Sequence, residues 1–362
     1  MRSNAPGPEH VAAGLVVSST VSVWLGGEVT ALDIPVVEGR YVVQRDEDVP
    51  DSIDVTLPGE WDGTVLDPGR KRSTLGSDGH DLAVTVHLES LDGQRRWTVP
   101  LGRFQVQVWK VDDGAVRVSA DGLLRKVADD IRVSPRSPGR ISPIAGELMR
   151  EFADLGMETR VDPRLPDRSV PKDFVFGTNR MESIRELVNA WPARMRVAAD
   201  GVVEFLPALS LEDVPPAVTV LHDGVGGTVV GAPSEGDREG VFNRVIVRVK
   251  PEGDAPEWSH VDQITTGRLA VSTYGVKPRE VESNAIKTPA QAQSIAWQEL
   301  AASRVRLRTL PVEAAADWRL EVDDPVTVKT SEGVDETGLL TGVDMPLTAR
   351  DGTARYNVGV ID

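Results

Sequence analysis

Five histidines, His10, His80, His87, His222 and His260, and an absence of cysteine set the limits on what this chain can do chemically. Without cysteine there is no disulfide, no thiolate nucleophile and no cysteine-ligated zinc. The histidines fall into no H-E-x-x-H, and none has an acid three residues away on a helix, so no metal-hydrolase pattern forms. His87 sits in an alternating run, LAVTVHLES, where a place on a pleated strand accounts for it as well as a ligand or base role does. No G-x-S-x-G elbow occurs. The glycine-rich DGVGG at 223–227 lacks the Lys-Ser/Thr and the helix of a phosphate cradle, and reads as a bulge or turn between strands. Carboxylates are so abundant that some pair will stand at glycosidase-like spacing by chance. No catalytic, cofactor-binding or metal-ligating residue is expected, and no cofactor.

Charge narrows the partners. There are 56 acidic against 40 basic residues, a net charge of −16. Affinity for nucleic acid comes from Lys and Arg neutralising phosphates, so a grip on DNA is not expected. Between Asp46 and Asp67 stand eight acids, including Asp46, Glu47, Asp48 and Asp51, with no Lys or Arg among them. Such a run is a solvated loop face, a ligand site, or a surface that repels DNA. Arg70-Lys71-Arg72 is the densest basic run. It lies in a Gly/Pro/Ser loop and suits a solvated or subunit-bridging tip. Of the eight tryptophans, Trp258 lies in a polar stretch, PEGDAPEWSH, and is the candidate for an exposed contact anchor, whereas Trp191 continues an apolar helical stripe and belongs to a core.

The elements that must carry these residues are mostly strands. At 362 residues the chain has room for about two to three domains. Its longest apolar runs, such as VAAGLVV at 11–17, fall far short of the roughly 20 residues a membrane span needs. No secretory signal is expected at its start. Residues 1–14 read as a flexible tail. From 15 to 132, short β-branched runs alternate with turn formers, Asp92-Gly93 and Asp113-Gly114 among them, as in an antiparallel barrel or sandwich. In this region Phe104, Val106 and Val108 fall on one side of a period of two, with Gln105, Gln107 and Trp109 on the other. Residues 133–212 hold two helices and a hairpin across Asp200-Gly201, an α+β unit. The first helix stripe is Ile144, Leu148, Phe152 and Leu155. The second is Met181, Ile184, Leu187, Val188 and Trp191, entered through the capping-box spacing of Asn179 and Glu182. Residues 213–362 return to strands and hold one helix over 288–304, with Thr288 and Gln291 at its entry and Ala292, Ile295, Ala296 and Leu300 on one face.

Several stretches together resemble the tail-hub, or baseplate-hub, family of tailed bacteriophages, and most of all the minor tail proteins of actinobacterial phages. They are VSVWLGGEVTALDIPVVEGRYVVQRDEDVPDSIDVTLPG, VPLGRFQVQVWKVDDGAVRVSADGLLRKVADD, MESIRELVNAWPARMRVAADGVVEFLP, FNRVIVRVK, YGVKPREVES, the alanine-rich helix and LEVDDPVTVKT. The resemblance implies a mainly β fold: two tube-like antiparallel β-barrels, each with a short helix, around a small α+β insertion. It implies a homotrimer at the virion tail tip, assembled in the host cytoplasm. Six barrels around the axis would join a sixfold tail tube to a threefold tip. The implied partners are the distal tail or tail-tube ring, the tape-measure protein and other tip or fibre proteins, with genomic DNA passing unbound through a lumen that Asp46, Glu47, Asp48 and Asp51 would line. The alanine-rich helix would lie across the sheet of the second barrel. A tail-tip cell-wall glycan hydrolase and a carbohydrate- or receptor-binding tail protein are the alternatives. For the hydrolase, no room for an appended enzyme is expected after the closing strand at RYNVGVID.

Overall fold

The computed structural model describes residues 1–361 except 3, 72, 140–141, 167, 210–215, 234–240, 250–255, 284 and 307. In chain order the first elements are α1 (Pro8–Ala13), β1 (Leu15–Leu25), β2 (Glu28–Pro35), β3 (Glu38–Gln44), β4 (Asp51–Pro58), β5 (Glu60–Trp61), β6 (Thr64–Val65), β7 (His80–Ser90), β8 (Arg96–Asp112), β9 (Ala115–Gly122) and α2 (Arg125–Asp129). Then come α3 (Ile144–Ala153), β10 (Thr159–Val161), α4 (Arg180–Ala190), β11 (Ala193–Val197), β12 (Val203–Pro207), β13 (Thr219–His222) and β14 (Val229–Gly231). The chain closes with β15 (Arg244–Val249), β16 (Trp258–Gln263), α5 (Val271–Tyr274), β17 (Pro278–Glu282), α6 (Pro289–Arg306), β18 (Thr309–Ala314), β19 (Pro325–Lys329), β20 (Asp335–Pro346) and β21 (Ala354–Val360). The protein is mainly β.

Two compact units divide the chain. Unit 1 takes Met1–Arg125, Pro215–Glu235 and Thr309–Gly359; unit 2 takes Lys126–Val214, Gly236–Arg308 and Val360–Asp362. In unit 1 a 13-stranded sheet runs β14-β18-β21-β20-β3-β4-β9-β8-β7-β1-β2, with β13 and β19 joined beside β20. The strands of both β-rich regions thus share one sheet, stitched where β20 pairs antiparallel with β3 from Gly342–Gln44 to Pro346–Arg40. Alternation explains its two faces. Val21 and Val23, Ile53 and Val55, Val84 and Val86 are buried, while their sequence neighbours face outward. Tyr41 meets Phe104 edge to face at 5.9 Å in this core.

The period of two on β8 breaks at two places, once at Leu101, between the pairs Pro100–Thr85 and Gly102–Val84, and again beyond Val106. Val106 pairs with Ala120, but Val108 pairs with Ser119 and Trp109 with Val118. The extra residue is a β-bulge, which turns Val108 out to 62% exposure and brings Trp109 to the opposite register. Hairpin turns at Asp62-Gly63 and Asp113-Gly114 hold both residues at positive φ, 46° and 73° in the first and 47° and 78° in the second. That is the type I′ geometry Asp-Gly favours.

Unit 2 consists of small layers. A three-stranded sheet β10-β12-β11 accompanies α3 and α4, and a second, β16-β15-β17, lies under α6. Asn179 caps α4 by accepting from the Glu182 N–H at 3.1 Å. A capping box opens α6: the Gln291 N–H donates to Thr288 Oγ1 at 3.3 Å and Gln291 Oε1 accepts from the Thr288 N–H at 3.0 Å. Ala292, Ile295, Ala296 and Leu300 are all buried, packed with Val245, Val247 and Val249.

Three boundaries differ from expectation. The first 14 residues include α1, whose Val11 is buried, and the Met1 ammonium lies 2.8 Å from Glu321 and 3.1 Å from Asp324. The stretch 213–362 is divided, its β13, β14 and β18–β21 in unit 1 and its β15–β17 and α6 in unit 2. The alanine-rich helix covers the small sheet of unit 2. Local periodicity marks each strand without saying which sheet it joins.

Candidate interaction surfaces

Asp46, Glu47 and Asp48 are exposed in the turn between β3 and β4. The Gln44 N–H donates to the Pro50 carbonyl at 2.7 Å, closing the turn, and Arg45 meets Asp323 at 3.1 Å at its base. Asp51 departs from that trio. Its position on β4 shares the inward parity of Ile53 and Val55, and its carboxylate lies over Gly122, where a Cβ would come within 2.1 Å of it. Burial, and after it the nearby Asp121 charge, pushes the Asp51 carboxyl up to about 6, against the pull of a backbone hydrogen bond. Asp51 is thus half-buried at the start of β4, whereas its three neighbours are exposed.

Arg70 and Lys71 are exposed in the loop between β6 and β7, and Arg72 lies outside the described residues. Asp67 sets the loop, accepting from the Gly69 N–H at 2.8 Å and pairing with Arg70 at 3.3 Å. Trp258 is not on a loop. It begins β16 opposite Val249 and is partly buried against the core under α6. The exposed tryptophans are Trp61 on β5 and Trp297 on the outer side of α6, at 42% and 56%.

The histidines stand in local pairs. His87 Nε2 lies 3.0 Å from Thr20 Oγ1 on the outer face of β7 and β1, and His260 pairs with Asp262 along its own strand at 2.8 Å. His10 stacks near Trp97, with ring centroids 5.0 Å apart. No group of three or more His, Asp or Glu among the described residues is placed to hold a metal ion.

Sequence reasoning missed a charge network inside unit 2. Glu151 on α3 is fully buried and takes the guanidinium groups of Arg132, Arg136 and Arg180, the last at 3.1 Å. Arg136 also reaches Glu147 at 2.7 Å, and Arg180 reaches Asp130 at 2.5 Å. Phe176 lies under two of the cations, 4.1 Å from Arg136 and 5.3 Å from Arg132. Burial, reinforced by the neighbouring Arg180 and Arg136, lowers Arg132 to about 10. Burial alone would raise the Glu147 carboxyl, but hydrogen bonds from the Gly139 N–H, Ser142 and Arg136 outweigh it and hold it below its ordinary value. The signal was available: Glu147 and Glu151 fall on the same buried stripe as Ile144, Leu148 and Phe152. The network fastens the segment 131–136 to α3 and α4, so the Pro- and Arg-containing connector is an integral part of unit 2.

No protein-family model matches the chain, and no curated relative does. Solved structures do. A tail protein from Neisseria meningitidis MC58 superposes with a TM-score of 0.64 at 16% identity, over 95% of this chain and 97% of that one. The 43 kDa tail protein of prophage MuSo2 from Shewanella oneidensis gives 0.59 at 11% identity, over 94% and 98%. A prophage tail protein from Listeria monocytogenes EGD-e gives 0.57 at 11% identity, over 94% of each chain. At such identities the likeness is one of fold, and the fold of this chain is that of phage tail proteins, in keeping with the tail-hub resemblance its sequence carries.

Proposed function

We propose that the protein is a structural hub of a phage tail tip or baseplate, without catalysis of its own. The observation that supports this best is the fold likeness to phage tail proteins, which extends over nearly the full length of both chains in each comparison. In this reading three copies form a ring, and the two β-rich regions of each chain serve as two of six similar positions. The ring then joins a sixfold tail tube to a threefold tip. The sheet of unit 1 has β2 at one end of its path and β14 at the other, and pairing with neighbours is one way to cover such edges. Its partners would be the tail-tube ring, the tape-measure protein and other tip proteins, at the tail tip of a virion assembled in the host cytoplasm. The exposed Asp46, Glu47 and Asp48 would face the lumen, where their repulsion of DNA acts over about 8 Å at physiological salt.

Mass photometry of the purified chain, with electron microscopy of the same sample, tests this. Rings of three chains with six lobes are expected. Closed dimers or four-chain assemblies, or turnover of cell-wall glycan by the purified protein, would overturn it.

A further inference from the structure

Four residues other than glycine hold a positive φ among the described ones, and three of them, Asp33, Asp62 and Asp113, are exposed. The fourth, Asp323, stands at φ 74° with its side chain only 12% exposed. It is the third residue of the turn 321–324, which the Asp324 N–H closes by donating to the Glu321 carbonyl at 3.1 Å. Val322 before it is not at positive φ, so the turn has the type II pattern, whose third position favours glycine. A strained residue kept in a shielded place points to a task for its side chain.

The carboxylate supplies that task. Asp323 Oδ1 lies 3.1 Å from Nε of Arg45, the residue that leads into the exposed acids Asp46, Glu47 and Asp48. Adjacent residues of β20 set the two backbones side by side. The Asp323 N–H donates to the Leu340 carbonyl at 2.8 Å, and the Arg45 N–H donates to the Thr341 carbonyl at 2.9 Å. Three like charges in succession repel one another, and a cation fixed at the base of their turn opposes that repulsion. Glycine at 323 would relax the backbone but remove the charge that holds Arg45. We propose that Asp323 is a latch whose carboxylate holds Arg45 and so fixes the acidic turn, and that the strained backbone at 323 is kept for this contact. The inference concerns unit 1 alone and does not rest on the hub reading.

Amide hydrogen exchange and thermal unfolding of the full chain test this with Asp323→Gly, Asp323→Ala and Arg45→Gln. The Gln44 and Arg45 amides, whose bonds to Pro50 and Thr341 close the turn, read the latch. Exchange there is expected to rise several-fold in all three variants, with the amides of β7 and β8 unchanged. The unfolding midpoint reads the strain. Asp323→Ala keeps a Cβ in left-handed backbone and is expected to unfold at a lower temperature than Asp323→Gly. Unchanged exchange at Gln44 and Arg45 in Asp323→Gly, or equal midpoints for the Gly and Ala variants, overturns the proposal. Should the variants at 323 fail to fold, Arg45→Gln leaves the turn 321–324 unaltered and reads the latch alone. Faster exchange in it supports the latch, and unchanged exchange overturns it.

Discussion

The two units hold themselves together by different means. Unit 1 is one long sheet whose buried side chains are mostly Val, Ile, Leu, Tyr or Phe; its buried acids Asp81 and Asp317 pair with Arg103 and Arg319, and the half-buried Asp51 sits at one strand end. Unit 2 has short sheets and a few helices, and in it the buried Glu147 and Glu151 hold the buried Arg180 and the partly buried Arg132 and Arg136. An extended sheet spreads its stability over many cross-strand pairs. A small layered unit concentrates it, because ions taken from water are tolerated only while every partner is present. Unit 1 should therefore yield gradually to substitution, and unit 2 abruptly at a few positions.

The sharpest way to break this contrast is Glu151→Ala. It leaves three guanidinium groups without their shared acceptor, and we expect a loss of about 3–5 kcal/mol confined to unit 2. Hydrogen exchange should rise at 131–136 and along α3, while β7, β8 and β9 of unit 1 keep their protection. A loss spread evenly over both units would remove the distinction.

Asp51→Asn probes a half-buried acid of unit 1. The folded carboxyl titrates near about 6, above its ordinary 3.8, so the folded state binds that proton more tightly than the unfolded chain does. The stability this contributes is fully present below about 3.8 and is lost as pH rises through about 6. Replacing the acid by a neutral amide should raise stability at pH 8 by about 1–3 kcal/mol and flatten the pH dependence between those two values. Denaturant titrations at a series of pH values would show it. An unchanged slope would mean that Asp51 is solvated in the folded protein.

Asn179→Ala is expected to do least, about 1 kcal/mol, by removing the side-chain acceptor at the start of α4. Its effect should again stay within unit 2, read as a fall in the unfolding midpoint of that unit alone.

How much of this was legible follows from the range of the signals. The caps at Asn179 and Thr288 and the turn at Asp200-Gly201 are settled within four residues, and each stands where its spacing put it. The stripe Ala292, Ile295, Ala296 and Leu300 is buried as its period required, but what it packs on was decided by strands elsewhere in the chain. Sheet membership was out of reach for the same reason: β20 pairs with β3 across some 300 residues, and alternation in either strand is silent about that. At Val108 one inserted residue reversed a face that two-residue counting had assigned. The flanks of Trp258 are polar, yet the strand it begins turns it onto a core. Among the candidate surface residues, Asp46, Glu47, Asp48, Arg70 and Lys71 are exposed, while Asp51 shows that an acidic run can cross from a turn into an interior.

The direct test of the hub reading is the number and place of this chain in an imaged particle. Cryo-electron microscopy of the intact tail is expected to show three copies in a ring directly beneath a sixfold tube, with the β3–β4 turns around the central channel. Six copies in the tube itself, or copies confined to a peripheral fibre, would contradict it.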